Sequence, residues 1–119
     1  MKFSESHEWI EVNGNLGTVG ISQHAQGELG EIVYVELPEV GKTVKAGKEA
    51  AVLESTKAAA DVYSPVSGVI ESVNENLASE PNLVNRSPEE EGWIFTIRLS
   101  NAAELEAMMT QDAYLAKLS

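Results

Sequence analysis

Glu54-Ser55-Thr56-Lys57-Ala58, set between Ala50-Ala51-Val52-Leu53 and Ala60-Asp61-Val62-Tyr63-Ser64, decides how this chain folds. The first flank is a short apolar run; the second mixes β-formers with polar residues and runs into Pro65, so the pentapeptide falls where a strand pair reverses direction. Lys57 is thereby presented at a hairpin tip. Ala58, Ala59 and Ala60 put almost no bulk around it, so an enzyme's active site can close over the turn and reach the amine. Acylation of that amine removes its charge and leaves a long flexible arm. The pattern points to attachment of a swinging cofactor.

Working outward, Trp9-Ile10-Glu11-Val12, Asn13-Gly14-Asn15 and Leu16 to Ile21 read as a hairpin, since Asn-Gly supplies the positive φ of a tight turn. Ser22 is placed to cap a short helix over Gln23 to Leu29 that stops at Gly30. Ile32 to Leu37 is a β-branched strand closed by Pro38, and Val44 to Leu53 leads up to the lysine turn. Val35 to Gly41 and Val62 to Gly68 both read V-x-x-P-x-x-G, a short echo of the kind a pseudo-symmetric pair of small sheets needs. Gly68 is expected to take positive φ in the second of these turns. Val69 to Val73 continues as a strand and Asn74 to Glu91 reads as loop, with Glu89-Glu90-Glu91 a solvated acidic run. In the last strand, Trp93 to Leu99, Trp93, Phe95 and Ile97 share a face. Ser100 or Asn101 then caps a C-terminal helix with apolar stripes at Leu105, Met108 and Met109 and, past a break at Thr110, at Tyr114, Leu115 and Leu118.

Composition narrows the function. The 119 residues, 43% of them hydrophobic, suit one domain over 1–119. Eight Lys and Arg against 19 Asp and Glu give a formal charge of −11, which repels phosphate backbones and anionic membranes, so neither nucleic acid nor membrane is an expected partner. With no cysteine, disulfides, thiolate metal sites and cysteine nucleophiles are excluded. His7 and His24 lie in different elements and fit no metal-ligand spacing, and the sequence holds no nucleophile elbow, phosphate loop or dinucleotide fingerprint. Asn85-Arg86-Ser87 matches a glycosylation sequon, but Met1 to Glu8 has no apolar signal core, which makes the cytoplasm the expected compartment. The positive signal is attachment, and no intrinsic catalysis is expected.

Ser6-His7-Glu8-Trp9, Gly20 to Gln26, Leu29 to Pro38, Glu54 to Ala58, Ser64 to Gly68 and Glu91-Gly92-Trp93 resemble, in order and spacing, the H-protein family of the glycine cleavage system. The resemblance implies a mainly β barrel-sandwich hybrid of the lipoyl/biotinyl-carrier type: two small antiparallel sheets, a short helix in the N-terminal half and a C-terminal helix. It implies lipoate joined by an amide to Lys57 on a monomeric, non-catalytic carrier. The implied partners are a pyridoxal-phosphate glycine decarboxylase, a tetrahydrofolate-dependent aminomethyltransferase, dihydrolipoamide dehydrogenase, and a lipoate ligase or lipoyl/octanoyl transferase. The carrier shuttles the aminomethyl group of glycine from the first to the second and raises its effective concentration at each active site.

Members of that family tuck the loaded arm into a cleft, away from hydrolysing water. By motif position Ser6, Glu8 and Asp61 line it, with Glu8 matched to the cargo ammonium and Asp61 to polar contacts near the hairpin. The chain departs from the family pattern at Thr56, Ala60 and Glu89, where valine, serine and an aromatic are common. Methionine does not flank the lysine as it does in biotin carriers, and the tip is not the Asp-Lys-Ala of 2-oxoacid dehydrogenase lipoyl domains. The alternative role is an H-like relay of lipoyl groups in lipoate assembly or salvage.

Overall fold

The computed structural model describes residues 1–118. In chain order the elements are β1 (Lys2–Phe3), β2 (Glu8–Asn13), β3 (Leu16–Ile21), α1 (Gln23–Leu29), β4 (Ile32–Glu36), β5 (Thr43–Val44), β6 (Glu49–Ser55), β7 (Ala59–Tyr63) and β8 (Gly68–Val73). Two single-turn helices, α2 (Asn76–Ser79) and α3 (Leu83–Arg86), precede β9 (Phe95–Leu99); a 3-10 turn over Ala102–Ala107, β10 (Met109–Thr110) and α4 (Gln111–Leu118) complete the order. The strands form two antiparallel sheets, one in the order β10-β1-β2-β3-β9-β8-β5 and the other β4-β6-β7.

Apolar side chains from both sheets meet between them: Ile10, Val19 and Ile21, Ala51, Leu53 and Val62, and Ile70, Phe95 and Ile97. In β6, strict alternation sends Ala51 and Leu53 inward. In β4, Ile32 and Val35 are both buried although three residues apart, because the register against β6 shifts between Ile32 and Tyr34. The segment read as loop supplies core as well: α2 and α3 insert Leu77 and Val84 into this cluster. Their single turns are too short for a helical period to show in sequence.

The V-x-x-P-x-x-G echo marks the two crossings from the small sheet to the large one. β4 runs through Pro38 into β5, β7 runs through Pro65 into β8, and β5 and β8 then pair with each other. Their glycines differ. Gly41 has φ 91°, whereas Gly68 is extended and starts a strand. Gly68 is needed for space, since a Cβ there would overlap the Arg98 carbonyl oxygen of β9.

Other expectations are corrected. Val44 to Leu53 is two strands in different sheets, parted by a turn in which Lys48 N–H donates to Lys45 O and Gly47 has φ 82°. The first hairpin turns at Gly14-Asn15, with Asn13 still paired to Leu16 and positive φ at Gly14 alone. Trp93 lies outside β9 and packs with Met109 and Leu118 on a second cluster of Phe3, Trp9 and Tyr114. The C-terminal segment is broken by β10, because Met109 and Thr110 give their backbone to pairing with β1. Leu105 and Met108 therefore reach the main core, Tyr114 the second cluster, and Leu115 stays 52% exposed.

Candidate functional site

Lys57 stands exposed on the turn joining β6 to β7. Ser55 N–H donates to Ala58 O at 2.8 Å, and Ser55 Oγ accepts the amides of Lys57 and Ala58, each at 3.1 Å. Thr56 N–H donates to Glu31 O at 3.0 Å, pinning the tip to the corner that follows α1. That corner is fixed in turn by Asn85 of α3, whose Oδ1 accepts Ile32 N–H at 2.8 Å while Nδ2 donates to Gly30 O at 2.8 Å. The side chain of the sequon asparagine is thus committed to internal hydrogen bonds. Gly30, with φ 81°, leaves room for the lysine: a Cβ there would come within 3.0 Å of Lys57 Cε.

Next to Gly30, Leu29 lines a cleft of about 280 Å³ between α1 and β7. Ser6, Glu8 and Asp61, the three residues matched to the arm cleft, all line it, joined by Glu28, which sequence reasoning missed. Asp61 lies between Ala60 and Val62 and pairs with Val52, so strand alternation turns its side chain to the other face of β7. Glu8 and Glu28 but no lysine or arginine bring charge to this space, among walls supplied by Ile21, Ala25, Leu29, Leu53, Ala60 and Val62. Such a lining suits an aliphatic chain ending in a cation. The helical period marks Glu28 as lying on the same side of α1 as Ala25, but one short helix gives no sign of what that side faces.

The three predicted residues differ in how they are held. Asp61 and Ser6 are exposed; Glu8 is 2% exposed. Glu8 Oε1 accepts the hydroxyls of Ser4, at 2.6 Å, and Ser6, and Oε2 accepts Tyr63 N–H at 3.1 Å. Its carboxylate therefore ties the Ser4–His7 loop to the end of β7 while lining the cleft.

His7 has φ 73°, rare for a residue with a side chain. Its carbonyl accepts Ser22 N–H at 2.9 Å, and its Nδ1 lies 2.7 Å from the Tyr114 hydroxyl. Ser22 caps α1 as expected, accepting Ala25 N–H at 3.1 Å, and its Oγ is also 2.7 Å from the Tyr114 hydroxyl. The two histidines, distant in sequence, have ring centroids 4.8 Å apart, and His24 Nε2 pairs with Glu28 at 3.0 Å. Burial pushes the Tyr114 phenol above its ordinary pKa, the Glu89 and Glu8 charges add to this, and the Ser22 bond opposes it. Glu89 is half-buried, accepting Gln23 N–H at the start of α1 at 2.9 Å. Among the described residues no cluster of His, Cys, Asp or Glu could hold a metal, and no helix is long and apolar enough to cross a membrane.

The family model described as glycine cleavage H-protein matches residues 1–119. The chain belongs to the glycine cleavage H-protein family. Similar relatives include the glycine cleavage system H protein of Alcanivorax borkumensis, 52% identical over 99% of this chain and 92% of that one. The H protein of Thermotoga maritima is 51% identical, over 95% of this chain and 91% of its own. The mitochondrial H protein 2 of Arabidopsis thaliana is also 51% identical, over 96% and 73%. Among solved structures, a glycine cleavage system H protein from Mycobacterium marinum superposes with a TM-score of 0.89 at 32% identity, over 98% of this chain and 94% of that one. The two open sheets described above are thus the H-protein form of the barrel-sandwich carrier fold.

Proposed function

We propose that Lys57 is the attachment point for lipoate and that the cleft between α1 and β7 receives the loaded arm. Family membership makes the chain a lipoyl carrier, a component that works with the other members of the glycine cleavage system. The observation that supports the site is the continuity from the lysine, laid over Gly30, to Leu29 and so to a cleft of apolar walls and carboxylates. Lipoate held at Lys57 would supply a disulfide able to accept a one-carbon unit bearing an amine. This chain's residues do the rest: the Ser55 turn holds Lys57 outward, Leu29, Leu53 and Val62 give the arm an apolar seat, Glu8 offers negative charge to the amine with Ser6 beside it, and Asp61 contributes polar contacts near the lysine hairpin. A carboxylate facing a cation in a site shielded from water interacts more strongly than on an open surface.

The reading extends to a single 119-residue carrier domain, acting as a non-catalytic monomer in the cytoplasm. Its partners in that reading are a pyridoxal-phosphate glycine decarboxylase, a tetrahydrofolate-dependent aminomethyltransferase, dihydrolipoamide dehydrogenase, and a lipoate ligase or lipoyl/octanoyl transferase. The deciding experiment is the intact mass of the protein and of Lys57→Ala after incubation with lipoate, ATP and a lipoate ligase, followed by glycine decarboxylase exchange with the product. An adduct lost in the variant, with exchange activity, is expected. No adduct on the parent protein would overturn the site.

A further inference from the structure

Ser22, Tyr114 and His7 form a chain of hydrogen bonds whose direction follows from counting protons. Ser22 is fully buried and Tyr114 is 3% exposed. Ser22 Oγ has two partners: Ala25 N–H, which donates to it, and the Tyr114 hydroxyl at 2.7 Å. A buried hydroxyl proton needs an acceptor, so Ser22 donates to Tyr114. The single Tyr114 proton is then directed at His7 Nδ1, 2.7 Å away. His7 Nδ1 must accept, which leaves the proton of the neutral ring on Nε2.

We propose that Tyr114 is a positioning residue for the arm cleft: its hydroxyl, oriented by Ser22, fixes His7 as the Nε2–H tautomer and holds the cleft wall formed by Ser6, His7 and Glu8. The inference rests on the cleft's role as the seat of the arm. His7 is the joint of that wall. It carries the left-handed backbone that turns the Ser4–His7 loop into β2, its amide donates to Ser4 O at 3.2 Å, and the two neighbours that fix its carbonyl and ring, Ser22 and Tyr114, are themselves bonded. The Tyr114 ring also stacks on Phe3, with centroids 4.4 Å apart and planes 5° from parallel, but the hydroxyl is placed by its own bonds to Ser22 and His7, each at 2.7 Å. α4 thus braces, from outside the sandwich, a wall to which it adds no lining residue.

The test uses Tyr114→Phe, which keeps the stacked ring and removes the hydroxyl, with Phe3→Leu as a packing control. Nitrogen chemical shifts of the His7 ring, read at alkaline pH on unlipoylated protein, should show the Nε2–H tautomer in the parent and in Phe3→Leu and a mixture in Tyr114→Phe. Lipoylated, loaded Tyr114→Phe should lose ammonia and formaldehyde to solution about fivefold faster than the parent, the equivalent of one neutral hydrogen bond. Loaded Phe3→Leu should retain its cargo even though its melting point falls. An Nδ1–H parent, a tautomer change in Phe3→Leu, or unchanged retention in Tyr114→Phe would each overturn the proposal. A parent that takes no lipoate fails the carrier reading itself and removes the arm-holding role with it, while the tautomer is decided on unlipoylated protein in either case.

Discussion

Replacing Glu8 separates its two duties, because alanine and glutamine remove different things. In Glu8→Ala the Tyr63 amide and the hydroxyls of Ser4 and Ser6 lose their acceptor together. Ser6 is exposed and Ser4 half-buried, so water replaces the carboxylate for them, and the main cost falls on the strand-end amide and on the void left by a side chain 2% exposed. Hydrogen bonds to charged groups contribute about 1.5–3 kcal/mol each, which with partial rescue by water puts the net loss at about 2–4 kcal/mol. At about 4 °C per kcal/mol for a domain of this size, melting should fall by about 10 °C. Glu8→Gln keeps a carbonyl for Tyr63 N–H, and the serine hydroxyls can rotate to accept from the new amide, so the loss should stay below about 1 kcal/mol. Only the charge is gone. A cation about 4 Å from a carboxylate at an effective dielectric of 20 is held by about 4 kcal/mol before desolvation is counted, so even a third of that remaining corresponds to about tenfold in retention. Loaded Glu8→Gln should therefore release ammonia and formaldehyde about tenfold faster than the parent while melting within a few degrees of it. Release at the parental rate from a well-folded Glu8→Gln would show that the carboxylate serves the loop and not the cargo.

Gly68→Ala should cost more than about 3 kcal/mol in denaturant unfolding, since relieving the overlap with the Arg98 carbonyl means parting β8 from β9; an unchanged midpoint would contradict that packing. Gly30→Ala pairs a left-handed backbone with a methyl group against Lys57 Cε, so about 1–2 kcal/mol of stability should be lost and the lysine pushed off its present path. Lipoylation rate and chemical denaturation check both parts, and parental values in both would remove Gly30 from the site. For Tyr114 the folded pKa is raised above the unfolded value, near 10, by burial and then by Glu89 and Glu8. Its contribution to stability is complete below pH about 10 and is lost as pH rises through the folded value, because the native state then holds the extra proton. Melting across that alkaline window should fall less steeply in Tyr114→Phe than in the parent; equal slopes would mean that the phenol ionises as freely folded as unfolded.

What could be read from sequence was what the chain states locally. The lysine turn, the Ser22 cap, the Gly30 stop and the strands with clear alternation each depend on a few adjacent residues, and all stand where they were expected. Errors fell where distant partners decide. Thr110 marks a break, but only pairing with β1 makes it a strand. Leu77 and Val84 are core because α2 and α3 lie across the sandwich, and nothing in a loop-rich stretch announces that. Gly68 was expected to be special and is, but its reason lies on β9, 30 residues along the chain. The site divides in the same way. Motif position brought Ser6, Glu8 and Asp61 to one cleft, while Glu28 and the hydroxyl chain from Ser22 through Tyr114 to His7 depend on contacts that no spacing rule encodes.

The site's construction suits a protein whose task is presentation. The lysine sits exposed on the β6–β7 turn at the end of the small sheet, so partners of different shape can approach it, while the cleft walls include α1, β7 and the loop before β2. Those walls are stiffened from outside by elements that line none of it: Asn85 of α3 fixes the corner under the lysine, and Tyr114 of α4 fixes His7. An arm that must leave its seat at each partner enzyme cannot be held by many contacts of its own, since a tightly bound arm would stay in the cleft. Retention must come from a small number of well-placed groups in a wall that does not yield when the arm departs. In the proposed site, rigidity supplied by α3 and α4 would keep those groups in place without adding affinity for the arm, so that one surface could protect a cargo and still give it up.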